Sequence, residues 1–364
     1  MKTLKLFTSE VIPGMTVAED VYTFNNQLII PKGSKLSDKI ISRLKFYSIS
    51  QIIVETKEEE APSIPSPVLL EPTNFPAFKV SNTAEFKSFK DEMIQTANSL
   101  QKDLNAIVAN RAKIEEEELL KKIYSILNHS RNGTHIFDML HCLRDYDDQT
   151  YIHSINVALI CHVIGSWSKF SKKDLETVTL CGLLHDIGKI VIPDTLIRKP
   201  SKLTDSEYSI VKTHTVKGYE VLKNQNINIH IKMAAMMHHE RCDGSGYPLG
   251  MKGDQIDRFA KVVMIADTYD AMTSARIYRG PLSPFEAISI YETEGLTKFD
   301  PKYLMTFLDH IYEFYQNAPV RLNDQREGII VMIDRNHISK PLVKVGDSYL
   351  DLLKEPDLYI ECFL

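Results

Sequence analysis

From about residue 133 to 316, apolar residues recur three to four apart in one segment after another, a spacing that predicts helices packed on helices. The segments are Tyr151 to Ser168, Lys172 to Asp186, Asp205 to Thr215, Ile229 to His239, Phe259 to Ser274, Pro284 to Glu294 and Pro301 to Gln316. Thr204 followed by Glu207 is a capping box that opens the third of them. Glu240 to Gln255 interrupts the pattern, because Gly244, Gly246, Pro248, Gly250 and Gly253 make it a loop.

The flanks have other textures. Residues 1 to about 56 read as a small α+β module. In it Val21 to Ile30 forms a hairpin turning at Asn25-Asn26, Ser37 caps a helix running to about Tyr47, and Gln51 to Val54 is a closing strand. Residues 57–81 begin with Glu58-Glu59-Glu60 and carry Pro62, Pro65, Pro67, Pro72 and Pro76, the composition of an extended linker. Residues 82–132 are polar and helical, with Phe86, Phe89, Met93, Leu100, Leu104, Ile107 and Val108 in register and Glu115 to Glu118 as a solvated face. This segment is expected to pack on the next domain or on a second copy of the chain, a homodimer. The helical domain itself spans 133–318, and a β-rich extension follows over 319–364. The extension has strands at Gly328 to Ile333, Leu342 to Val345, Tyr349 to Leu353 and Leu358 to Phe363. Asp334 to His337 is a polar turn, Gly346-Asp347 a hairpin turn, and Val343 and Val345 an inward face. The expected class is mainly α, with a small N-terminal α+β module and a short C-terminal β extension.

Composition narrows the function. The 364 residues are 43% hydrophobic and 25% charged, as in soluble globular proteins, and the net charge of −5 opposes general binding to DNA. No apolar run reaches the ~18–20 residues of a membrane span, and the start of the chain lacks the pattern of a signal peptide. The five cysteines form no CxxC and no disulfide framework, so reduced thiols and a cytoplasmic location are expected.

The chemistry centres on Leu183-Leu184-His185-Asp186-Ile187-Gly188-Lys189, where an imidazole and a carboxylate stand side by side at the end of an apolar helix. A carboxylate has two oxygens and can bridge two cations. Of the twelve histidines, His153, His185, His214, His238 and His239 lie at or near helix ends. Together with Asp186 and Asp267 they form an imidazole and carboxylate set without thiolate, suited to iron, manganese, zinc or nickel. His238 and His239 diverge by roughly 100° if helical, which two metals or a helix end would resolve. Each residue also has an ordinary reading. His153 beside Val157 and Ile160 resembles a core histidine, and His214 a surface residue. Asp267, inside Val262 to Ala266, is harder to explain, because a carboxylate in an apolar helix is costly unless paired or metal-bound.

These motifs, taken in order, resemble the HD-GYP family of the HD phosphohydrolase superfamily. The resemblance is carried by Thr150 to Val157, His185 to Lys189, His214, His238-His239-Glu240 through Gly246-Tyr247-Pro248, and Asp267 through Arg279. It implies an HD-type helical bundle and a bacterial signalling enzyme that hydrolyses cyclic di-GMP to pGpG and GMP. Carried over by position, it implies His153, His185, Asp186, His214, His238, His239 and Asp267 as metal ligands, with Asp186 bridging and acting in catalysis. Lys189 would meet the scissile phosphate. Tyr247, Arg276 and Arg279 would contact substrate, and Asp270 would support the site. The Gly246-Tyr247-Pro248 loop would also dock a partner such as a diguanylate cyclase. Some members hold a third metal with a glutamate four residues before the first histidine. Gln149 stands there in this chain, so two divalent ions, iron or manganese, are expected instead of three.

Two cations ~3.5–4 Å apart acidify a bridging water, and the resulting hydroxide attacks a phosphodiester whose developing charge they stabilise. Arg276 and Arg279 offer planar forks to a second phosphate or a guanine edge. Two alternatives stay open at this level. One is a sensor or docking module that binds cyclic di-GMP without turnover, and the other is a phosphohydrolase acting on a different cyclic dinucleotide or nucleotide.

Overall fold

The computed structural model describes residues 2–7, 11–22, 28–37, 40, 51–56, 83–130, 133–143, 149–199, 203–274 and 282–364. Two compact units result, Met1–Pro72 and Thr73–Leu364.

The first unit is built on a three-stranded antiparallel sheet in the order β1 (Lys2–Phe7), β5 (Gln51–Thr56), β2 (Thr16–Val17). β3 (Val21–Tyr22) pairs with β4 (Leu28–Ile30) as a hairpin would, but the expected Asn25-Asn26 turn lies outside the described residues. So does most of the helix expected after Ser37, although the Ser37 hydroxyl accepts from the Ile40 amide at 3.4 Å. Val11, Val17, Val21, Ile30, Leu36, Ile52 and Val54 make a small core. The proline-rich residues 57–81 are outside the described residues.

The second unit is mainly helical: α1 (Ala84–Val108), α2 (Glu116–Leu127), α3 (Gly133–Cys142), α4 (Gln149–Trp167), α5 (Lys172–Leu184), α6 (Asp205–Lys212), α7 (His214–Leu222), α8 (Ile229–Met237), α9 (Arg258–Thr273), α10 (Pro284–Ile290) and α11 (Pro301–Tyr315). Its centre is α9, which packs on α4, α5, α8, α10 and α11. A helix enclosed by five others must be apolar all round, and Phe259 to Ala266 supplies this, with only Lys261 not fully buried. Asp257 caps α9 by accepting from the Phe259 and Ala260 amides, while His230 donates to its other oxygen at 2.5 Å.

Several helices are shorter than their periodicity suggests, and two of the breaks shape the site. The segment from Lys172 ends at Leu184 and tightens into a 3-10 turn over Ile187–Val191. The segment from Asp205 divides at Thr213, so that His214 begins a new helix. Helical spacing alone cannot reveal either break, since the side chains remain in phase on both sides. Glu116 is more than a solvated acid: its carboxylate accepts from the Asn228 amide at 2.8 Å, tying α2 to the start of α8.

The C-terminal strands form one antiparallel sheet ordered β10 (Ile360–Phe363), β6 (Pro319–Leu322), β7 (Glu327–Asp334), β8 (His337–Val345), β9 (Ser348–Asp351). β6 is an additional strand, hidden in the sequence by its leading proline. Val343 is buried as expected, whereas Val345 is only half-buried. Val320, Leu322, Ile330, Ile338 and Ile360 join the same core as the helices, and Glu292 accepts from the Ile338 and Ser339 amides.

Candidate metal centre

Five histidines and two aspartates meet where α4, α5, α7, α8 and α9 come together. His153 lies one turn into α4, and His185 caps the C-terminus of α5. Asp186 follows, where the chain turns into the 3-10 segment. Gly188 makes the next approach possible: a Cβ there would lie 1.9 Å from the His214 carbonyl oxygen, an impossible contact. The glycine therefore lets the 3-10 turn press against the first turn of α7 and brings His214 to Asp186. His238 caps the C-terminus of α8, and leaving the helix there lets His238 and His239 both face the site. Asp267 enters from central α9.

Asp186 is the hub. Its Oδ1 lies 3.4 Å from His214 Nε2 and 3.5 Å from His238 Nε2. Its Oδ2 lies 3.3 Å from His185 Nε2 and 3.6 Å from His153 Nε2. Asp267 Oδ1 is 3.2 Å from His153 Nε2, and its Oδ2 is 3.8 Å from His239 Nδ1. Two ligand groups follow, Asp186 with His214, His238 and His239, and Asp186 with His153 and His185. His185, Asp186, His214 and His238 are all but inaccessible to solvent.

Backbone carbonyls set the histidine tautomers. His185 Nδ1 donates to Gly182 O at 2.7 Å, His214 Nδ1 to Val211 O at 2.7 Å, and His238 Nδ1 to Ala234 O at 3.1 Å. A carbonyl only accepts, so in each neutral ring the opposite nitrogen, Nε2, carries a lone pair directed into the centre. His214 Nε2 and His238 Nε2 stand 3.2 Å apart. Two lone pairs at that separation repel unless a cation lies among them. The buried Nε2 atoms of His153 and His185 and Oδ1 of Asp186 have no hydrogen-bond partner, despite their nearness to one another. Burial without pairing is costly for polar atoms, and a cation would satisfy all three. The donor set therefore fits metal ions.

Electrostatics point the same way. Burial pushes the His214 imidazole down to about 3 and holds His238 and His239 low, keeping them neutral donors. Burial opposes charge on Asp186 and Asp267, but Lys189 and His185 outweigh it at Asp186 and His153 leads the opposition at Asp267, so both carboxyls are held well below the usual range.

Around this centre, Lys189 pairs through its ammonium with Asp186 Oδ2 and remains a quarter exposed. Asp270, expected to support the site, accepts from His153 Nδ1 at 2.7 Å and Asn156 Nδ2 at 3.0 Å. The Tyr247 ring stands 4.7 Å from that of His239. Gly246 permits this, since a Cβ there would lie 2.3 Å from the Arg241 nitrogen and Glu240 Cα. Glu240, fully buried, secures the loop by accepting from the Leu249 and Met251 amides at 2.7 and 2.9 Å. Glu240 and Asn156 have roles that their sequence neighbourhoods do not announce. The available signals were an acid directly before a glycine-rich loop, and an amide three residues from His153 on one helix face. Arg276 and Arg279 lie outside the described residues, as does the side chain of Gln149.

Residues 137–303 match the model of the HD domain family. Among curated relatives, the cyclic di-GMP phosphodiesterase PA4108 of Pseudomonas aeruginosa is 34% identical over 205 residues, 56% of this chain and 49% of its own length. The cyclic di-GMP phosphodiesterase response regulator RpfG of Xanthomonas campestris is 31% identical over 226 residues, 62% of this chain and 55% of its own. A 3'3'-cGAMP-specific phosphodiesterase of Vibrio cholerae is 33% identical over 168 residues, 46% of this chain and 39% of its own. The chain thus spans about half the length, or less, of these relatives. Among the described residues no helix is long and apolar enough to cross a membrane.

Proposed function

We propose that the chain is a metal-dependent phosphodiesterase of HD-GYP type that hydrolyses cyclic di-GMP to linear pGpG, with GMP as a further product. The observation that supports this most is the sharing of Asp186, whose two oxygens face two different sets of histidines. One divalent ion would be held by Asp186, His214, His238 and His239, and another by Asp186, His153, His185 and Asp267. Iron and manganese both suit these donors. Bound there, such ions supply a nucleophilic oxygen at neutral pH and positive charge beside the phosphate.

The chain's own residues have distinct tasks. Lys189 presents a point charge at the edge of the centre, where a phosphodiester oxygen can replace part of its pairing with Asp186. Asp270 fixes the plane of the His153 ring. Tyr247 covers one side of the site, and its hydroxyl stays protonated because burial raises it, so it donates a hydrogen bond to substrate. Gly246 and Glu240 hold that loop in place. The test is anaerobic purification with iron or manganese, incubation with cyclic di-GMP, and chromatography of the products. Fully metallated protein that leaves cyclic di-GMP intact would overturn the proposal.

The relative that acts on 3'3'-cGAMP supports a second reading, in which the preferred cyclic dinucleotide carries one adenine. Phosphate and metal contacts are common to both substrates. Competition between cyclic di-GMP and 3'3'-cGAMP, read as the ratio of kcat/KM values, separates the two.

A further inference from the structure

Beside the centre lies a group of side chains that metal binding leaves unused. α6 ends at Lys212, immediately before the break that starts α7 with His214. The Lys212 ammonium lies 5.1 Å from the Tyr208 ring centroid and 5.8 Å from that of Tyr247. Tyr247 in turn stands against His239, so one ring separates this ammonium from the metal ligands. Tyr208 is 48% exposed, and Lys212 is half-buried. Among the described residues, no carboxylate pairs with Lys212.

A lysine in the last turn of a helix is favourable for the dipole alone. The dipole does not account for an open aromatic face one turn earlier, nor for an ammonium placed between two tyrosines at the rim of a phosphohydrolase site. The placement of α6 is fixed from its other end. The Thr204–Glu207 capping box sets its first turn, and Lys199 pairs with Glu207 at 2.5 Å. Tyr208 and Lys212, four residues apart, consequently share one helix face.

The rim has the two features a dinucleotide requires beyond the reacting phosphate. An exposed aromatic face can stack a base, and an unpaired cation can neutralise a phosphodiester that is not being cleaved. We propose that Tyr208 stacks a purine base of the substrate and that Lys212 pairs with its second phosphodiester, making both residues determinants of dinucleotide recognition. This rests on the phosphodiesterase reading and specifies which part of the chain reads the remainder of the substrate.

The test uses the full-length, metal-loaded protein and two readouts. Calorimetric titration with the bis-phosphorothioate analogue of cyclic di-GMP, which resists hydrolysis, measures recognition. Turnover of bis(p-nitrophenyl) phosphate, a simple diester without base or second phosphate, measures the centre alone. Tyr208→Ala and Lys212→Ala should each weaken the analogue about tenfold, within the range that stacking and charge contacts carry. Tyr208→Phe should restore binding, and Lys212→Ala should flatten its salt dependence. Metal content and bis(p-nitrophenyl) phosphate turnover should match wild type in all three. Wild-type affinity in Tyr208→Ala and Lys212→Ala overturns the inference, as does a wild-type protein that fails to bind the analogue. Loss of simple-diester turnover in metal-loaded wild-type protein instead counts against the phosphodiesterase reading, so the two failures are distinguishable.

Discussion

Asp270 accepts a 2.7 Å hydrogen bond from Nδ1 of His153, and this directs the ring's Nε2 toward Asp186 and Asp267. A carboxylate behind a metal-facing histidine fixes both ring plane and tautomer. Asp270→Asn should leave the fold intact and weaken metal affinity about 10–100-fold, the usual effect of losing such a partner. Competition with a chelator of known affinity measures this. Unchanged affinity would show that His153 needs no orienting partner.

Asp186 carries the opposite expectation. Because both ligand groups include it, Asp186→Ala should remove metal and activity together, not just one ion. Elemental analysis beside the turnover assay checks both. Full metal content in the variant would refute the shared role.

Lys189 lies next to the ligands without being one. Lys189→Ala should retain metal yet reduce turnover about 100-fold or more, since the charge it directs at the phosphate acts mainly in the transition state. Loss of metal along with activity would mean that its pairing with Asp186 is structural.

Gly188→Ala tests the close approach of the 3-10 turn to α7. The added methyl would collide with the His214 carbonyl and the Gly218 nitrogen, both backbone atoms that cannot rotate away. Overpacking of this kind costs about 1–3 kcal/mol or more, and here it should also displace His214. Thermal melting should show a drop of several degrees, accompanied by weaker metal binding. A wild-type melting temperature would show that the turn can shift at little cost.

His162 supplies the pH dependence. Burial holds its imidazole down to about 4, against about 6.5 in an unfolded chain. Above pH 6.5 the ring is neutral in both states. As the pH falls from 6.5 toward 4, the unfolded chain takes up a proton that the native ring refuses, so this stability is lost across that window. At pH 5, allowing for partial exposure, the loss is of order 1 kcal/mol. Urea unfolding at pH 7 and pH 5 should therefore show a smaller acid loss in His162→Gln than in wild type. Equal losses would assign the acid sensitivity elsewhere.

The candidate cluster was legible because His185, His214, His238 and His239 lie at helix ends in a chain whose helical phase is readable, and because a carboxylate such as Asp267 has little other reason to sit among Val262, Val263 and Ile265. What remained hidden depends on contacts between distant residues. Nothing local shows that Glu240 is buried under the Leu249 and Met251 amides, or that Glu116 reaches Asn228 across 112 positions. The break at Thr213 was hidden for a related reason. It falls where Gly188 packs against α7, a contact between residues 26 or more positions apart.

The proposed ligands come from five helices and their ends, spread between His153 and Asp267, and each contributes only one or two of them. An ion bound among them would act as a cross-link on a chain with no disulfides, stabilising only the native state in proportion to the logarithm of free metal. The supply of metal would then set how much of the protein survives in the cell, as well as how fast it works. A cell starved of iron or manganese would lose the protein by degradation in addition to losing its activity.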